Sequence, residues 1–212
     1  MEQYSAKELQ NYSKKQLSVL FNSQGFSKNG DYYVKEYHEG VSGCIGIAFS
    51  SLGLYHTQFI TIDLGFGHAE LSQLIYRLSE QKASRKILCT GWRVLSCIID
   101  GAKYSDYEFE VKTPTEIDAV VKTVSGILER IIEPYFLENC CMSQFKYNVL
   151  HGGYCSYGSK IMVIPALYYL TGEKDKGASY IEEQLKKNYV EISLNPQNGV
   201  FIKNYQQLLA NS

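Results

Sequence analysis

Hydrophobic positions recur along the chain with two periods, and the changes from one to the other mark out the architecture. The first element has period 3.6. Ser5-Ala6-Lys7-Glu8 reads as a capping box, in which the serine hydroxyl accepts from the third helical amide and the glutamate reaches back. Leu9, Tyr12 and Leu20, with Leu17 and Val19 at the edges, share one face, and Lys7, Lys14, Ser18 and Asn22 share the other. Gly25 is the expected stop signal.

The period then drops to 2. Residues 31–38 are tyrosine-rich, and Glu39-Gly40 has the composition of a hairpin turn. Over 41–49, Val41, Gly43, Ile45, Ile47 and Phe49 fall on one face and Ser42, Cys44, Gly46 and Ala48 on the other. Small residues on that second face leave room for close approach. Over 59–64, Ile60, Ile62 and Leu64 alternate against Phe59, Thr61 and Asp63, and 92–99 and 107–111 are further candidate strands. A short helix is expected over 70–79, carried by Leu71, Leu74, Ile75 and Leu78.

A second capped helix comes next, with Thr113 as N-cap, Pro114 at the first helical position and Glu116 completing the box. Its expected stripe is Ile117, Val121, Val124, Leu128, Ile131 and Tyr135, with Lys122, Glu129 and Glu133 opposite, and Pro134 should end or kink it near Glu133. Helices over 161–170 and 176–188, joined by 171–175, read as an αα-hairpin. Glu182/Lys186 and Glu183/Lys187 stand at i,i+4 in the favourable order on the second of them. The pattern predicts an α+β protein. Its antiparallel sheet of four to five strands is flanked by helices over residues 1–140, and a helical C-terminal lobe over 141–212 packs on it.

Composition adds boundaries to that picture. Among 212 residues, 45% are apolar and 20% charged, the balance of a globular chain. The 21 Lys+Arg against 22 Asp+Glu leave a formal charge of −1, which provides neither the basic excess of a nucleic-acid binder nor an acidic tail. Apolar stretches fall far short of the roughly 20 residues of a membrane span. The polar N-terminus carries no export signal, so the expected location is the cytoplasm. There the six cysteines (Cys44, Cys89, Cys97, Cys140, Cys141 and Cys155) are expected as free thiols. Tyrosine is over-used, with 18 against nine Phe and one Trp.

Candidate chemistry is thin. The segment from Gly153 to Gly158-Ser159-Lys160 imitates a phosphate loop, but its last two residues are inverted and no strand precedes it. Cys140, Cys141, His151 and Cys155 lack the paired spacing of a zinc site. No metal or other cofactor is therefore expected. His38, His56, His68 and His151 are isolated from one another, and no nucleophile elbow occurs. His56, His68 and His151 are retained as pocket candidates, because a hydrolase would need them in a polar cleft. The strand over 31–38 is aromatic on both faces, although only one face of a two-layer sheet meets a core. That makes Tyr32, Tyr33 and Tyr37 the candidate partner-binding residues.

One ordering of features resembles a known family. A capped helix ends in Gly25-Phe26-Ser27-Lys28 and is followed by a strand with Tyr32 and Tyr33. Alternating strands end near Asp63-Leu64-Gly65, the next opens at Trp92, and the long capped helix ends in Pro134-Tyr135-Phe136-Leu137. In this order they resemble the bacterial uncharacterised-domain family 4304, over about residues 5–140. The resemblance supplies no catalytic residues. Some members lie among toxin–immunity loci, which implies a non-enzymatic module whose partner is a toxin-like protein. The charge of −1 disfavours a basic nuclease as that partner. A regulatory domain binding a small molecule between the sheet and the C-terminal helices is the alternative, a hydrolase the third reading, and the oligomeric state is open.

Overall fold

In the computed structural model, described over residues 4–52, 57–82, 86–99, 101–151 and 157–211, the helix caps written in the sequence are realised. Helix α1 (Ala6–Ser23) opens on the reciprocal Ser5–Glu8 box. Its hydrogen bonds from Ser5, the backbone amide foremost, hold the Glu8 carboxyl below the usual carboxylate value. Helix α3 (Pro114–Ile127) opens on the Thr113–Glu116 box with Pro114 in the first turn.

Among the described residues six strands form one antiparallel sheet. They are β1 (Ser27–Asn29), β2 (Tyr32–His38), β3 (Val41–Leu52), β4 (Thr57–His68), β5 (Cys89–Val94) and β6 (Phe109–Val111). The order is β1-β2-β3-β4-β5, with β6 paired to β4. Ser27 faces Val34 across the first pair, and Ile60 faces Phe109 across the last. The strand expected over 92–99 turns instead into a 3₁₀ helix at Leu95–Ile98, because Leu95 and Ser96 are both buried and alternation fails there. The strand expected from 107 begins at Phe109. Asp106 accepts the Lys103 amide and closes a 3₁₀ turn at Tyr104–Tyr107.

The chain forms two compact units. The first comprises Met1–His38, Ser42–Gly65 and Trp92–Cys141. Its core is seeded by the row Leu9, Ser13, Leu17 and Phe21 on α1, all 0% exposed. Leu17 is thus central rather than peripheral, and Val19 points outward. The buried Ser13 hydroxyl is satisfied by donating to the Leu9 carbonyl at 2.8 Å. Phe21 meets Tyr33 at 5.0 Å between ring centroids and Phe26 at 6.4 Å. Phe136 then stacks obliquely on both Phe26 and Tyr37.

The second row of that core departs from the expected register. After α3 the helix widens into a π turn at Leu128–Ile132 and continues as α4 (Glu133–Asn139). Pro134 has no amide and would crowd the carbonyl of Arg130 in an unbroken α-helix, and the wider turn absorbs this without ending the rod. The extra residue rotates the helix beyond it. The buried set becomes Ile117, Val120, Val124, Leu128, Ile132, Phe136 and Cys140. Val121, Ile131 and Tyr135 are only half-buried.

The second unit comprises Glu39–Val41, Phe66–Gly91 and Met142–Ser212. Helix α2 (Ala69–Leu78) is followed by α5 (Met142–His151), α6 (Tyr157–Leu170), α7 (Lys174–Ser193) and α8 (Pro196–Ala210). The expected αα-hairpin is α6–α7, extended beyond 188 through a kink at Asn188. Helices α5 and α8 are additions to that expected pair. Over 161–167, all seven α6 residues are buried, as befits a helix surrounded by others. Tyr205 of α8 donates to the Pro165 carbonyl at 3.1 Å, and Gly177 of α7 leaves room for that phenol: a Cβ there would sit on its oxygen. Burial raises the Tyr205 phenol to about 12.

Candidate functional site

Alternation along β2 sends Tyr32 and Tyr33 to opposite faces, and they meet different fates. Tyr33 is 4% exposed beneath α1, against Phe21. Tyr37 shares its face. The Tyr37 hydroxyl donates to one Glu133 oxygen at 2.9 Å, and the Lys35 ammonium donates to the other at 2.7 Å. Lys35 also lies over the rings of Phe26 and Tyr37. Glu133 is thus the anchor of a half-buried polar cluster, not part of a wet face. Burial, reinforced by the Glu133 carboxylate, pushes the Tyr37 phenol well above its ordinary value. Two of the three candidate tyrosines therefore serve the interior of the first unit.

Tyr32 takes the other face and meets Trp92 edge-on, with 5.3 Å between centroids and 74° between planes. The indole lies across Gly46 of β3, where a Cβ would come within 2.9 Å of it. The small residue at 46 is therefore the seat of the ring. Trp92 is 38% exposed. A large aromatic pair is thus held in one orientation and partly open to solvent. Sequence reading found Tyr32 but passed over Trp92, whose signal was its position opposite a strand of small residues.

The described histidines His68 and His151 have separate surroundings. His68 is 3% exposed and caps α2, accepting the Leu71 amide at Nδ1 across 3.2 Å. Its Nε2 lies 3.0 Å from the Glu39 carbonyl, and its ring stacks on Phe145. Both nitrogens are occupied. His151 is exposed beside Tyr147. His56, Cys155 and the loop from Gly153 to Gly158 lie outside the residues whose side chains are described. Among the described residues no three His, Cys, Asp or Glu side chains converge as metal ligands, and no helix is long and apolar enough to cross a membrane.

Two other groups are set apart by their surroundings. Cys140 is fully buried, and that burial raises its thiol well above the ordinary value, opposite to what a nucleophile needs. Asp63 alternates with Ile62 and Leu64, which are 0% and 2% exposed, so it occupies the other face of β4. It is half-buried, no hydrogen bond or ion pair reaches it among the described residues, and burial raises its carboxyl. A lone acid inside an alternating apolar strand was its sequence signal.

Comparison with known proteins gives one match. The family described as Domain of unknown function (DUF4304) matches residues 17–138. No curated protein and no solved structure matches the chain. The matched span runs from the middle of α1 to the end of α4, and so covers the sheet, Tyr32, Trp92 and the Glu133 cluster.

Proposed function

The chain belongs to the domain-of-unknown-function family DUF4304, and within that family we propose that it is a bacterial, cytoplasmic, non-enzymatic module that binds another protein. The observation that carries this reading is the Tyr32–Trp92 pair on Gly46. Binding hot spots are enriched in Trp and Tyr held in place before the partner arrives, because little entropy is then lost on contact. The interior titratable groups support the non-enzymatic part. His68 spends both ring nitrogens on backbone groups, Tyr37 is committed to Glu133, and burial keeps the Cys140 thiol protonated. The partner proposed is a toxin-like protein that this chain neutralises, and one without a strongly basic surface, in keeping with the charge of −1.

Trp92 is the single tryptophan of the chain, so its emission reports directly on this face. The test is titration of the protein with the product of the neighbouring gene, read by Trp92 fluorescence and by calorimetry. Binding should shift the emission, and Tyr32→Ala should weaken it about 30-fold, equivalent to about 2 kcal/mol. A complex whose affinity is indifferent to both Tyr32→Ala and Trp92→Ala would overturn the assignment of this face.

A further inference from the structure

On the helix-facing side of the first unit, α1 and the β1–β2 turn leave a cleft of about 320 Å³. Tyr33, Ile47 and Phe49 supply its apolar lining, and Lys14, Lys28 and Asp31 bring charge to it. The chemistry of this cleft is lopsided. Neither lysine has a carboxylate within ion-pair distance among the described residues, and Asp31 has no cation. Lys14 instead places its ammonium 5.3 Å above the Phe49 ring, a contact that leaves its charge available to an anion. Binding clefts commonly combine such an apolar floor with a few polar groups that fix orientation, and this volume lies at the lower end of their range.

We infer that this cleft binds a small organic anion, an aryl carboxylate or aryl phosphate, with its ring against Phe49 and Ile47 and its charged group between Lys14 and Lys28. The apolar lining disfavours a bare hydrated anion, which would lose water without apolar compensation. The two ammoniums disfavour a neutral aromatic, which would leave them unanswered. Asp31 opposes an anionic group placed near it, so its charge limits affinity. The site lies on the opposite face of β2 from Tyr32 and is independent of the protein-binding reading.

The test uses the full chain and four probes: 4-hydroxybenzoate, phenyl phosphate, inorganic phosphate and benzyl alcohol. Calorimetry gives affinity, and side-chain NMR of Phe49 and the lysine ammoniums gives location. Saturable binding of either aryl anion with shifts at Phe49 is expected, and the tighter of the two identifies the head group. Inorganic phosphate and benzyl alcohol should each bind at least about tenfold more weakly, since each lacks one half of the recognition. Lys28→Gln and Lys14→Gln should each weaken the aryl anion about tenfold, and Asp31→Asn should tighten it. Tyr32→Ala should leave it unchanged, which separates failure here from failure of the protein-binding face. Absence of saturable binding by both aryl anions, equal binding of benzyl alcohol, or indifference to both lysine substitutions would overturn the inference.

Discussion

The ring of His68 ties the start of α2 to the backbone of Glu39. Its Nδ1 accepts the Leu71 amide, so the ring proton sits on Nε2 and is donated to the Glu39 carbonyl at 3.0 Å. Glu39 and Gly40 form the β2–β3 turn with φ of +53° and +74°, the signs a tight hairpin of matching twist requires. A glutamate in the left-handed region costs about 1 kcal/mol or more. Two bonds offset it: the one from His68, and the one its carboxylate accepts from the Met142 amide at 2.9 Å.

His68→Ala should therefore destabilise the protein by about 1–3 kcal/mol, combining a lost cap with an unanswered carbonyl. His68→Asn restores a capping oxygen but is too short to do the rest, and should recover only part of the loss. Urea denaturation checks both, and equal stability of the alanine variant and wild type would refute this role.

The two β3 glycines seat different rings, and their alanine variants should separate accordingly. At Gly43 a Cβ would stand 2.6 Å from Phe136, at the centre of the first unit's core. Gly43→Ala should cost about 1–3 kcal/mol through overpacking, with the Trp92 emission maximum unchanged. Gly46→Ala should displace Trp92 and move that maximum. Fluorescence and melting of both variants would test the distinction, which fails if both shift the emission alike.

The π turn makes a register prediction. Ile132→Ala should cost about 2–5 kcal/mol, as should Leu128→Ala. Ile131→Ala should cost less than either, and Lys122→Ala should stay within about 0.5 kcal/mol. Urea melts giving Ile131 the larger effect would restore the unbroken helix.

These residues also show what could be read from the chain beforehand. Ser5, Glu8, Thr113, Pro114 and Glu116 announced two helix starts, because caps are local chemistry settled within four residues. The alternation over 41–49 and 59–64 announced the sheet for the same reason. The step from Ile131 to Ile132 was not legible: Pro134 has two solutions, a stop or a widened turn, and the choice depends on distant Phe26 and Tyr37 receiving Phe136. At the candidate site Tyr32 was legible as an aromatic on a second face. Its partner Trp92 comes from a strand far along the chain, and the cleft is lined by α1, β3 and the β1–β2 segment, which the fold alone brings together.

Asp63 gives a pH prediction. Burial raises its folded-state pKa above the ordinary 3.8, so the folded protein holds this proton more tightly than the unfolded chain. The resulting stabilisation is fully present below the unfolded pKa and is lost as pH rises through the folded one. Asp63→Asn should accordingly be more stable than wild type at neutral pH, with the advantage shrinking as pH falls toward the ordinary carboxylate range. Denaturant midpoints at about pH 3 and about pH 7 check the sign, and an asparagine variant less stable at neutral pH would contradict it.

The bond between Glu39 and Met142 spans 103 residues of chain, and a ribosome adding about 5–20 residues each second takes about 5–20 s to cover that distance. For that interval the Glu39 carboxylate has no Met142 amide to accept from. The unit to which the turn belongs is assembled from three separated stretches, the last beginning at Met142. Synthesis order thus makes the histidine available to the turn before the α5 amide.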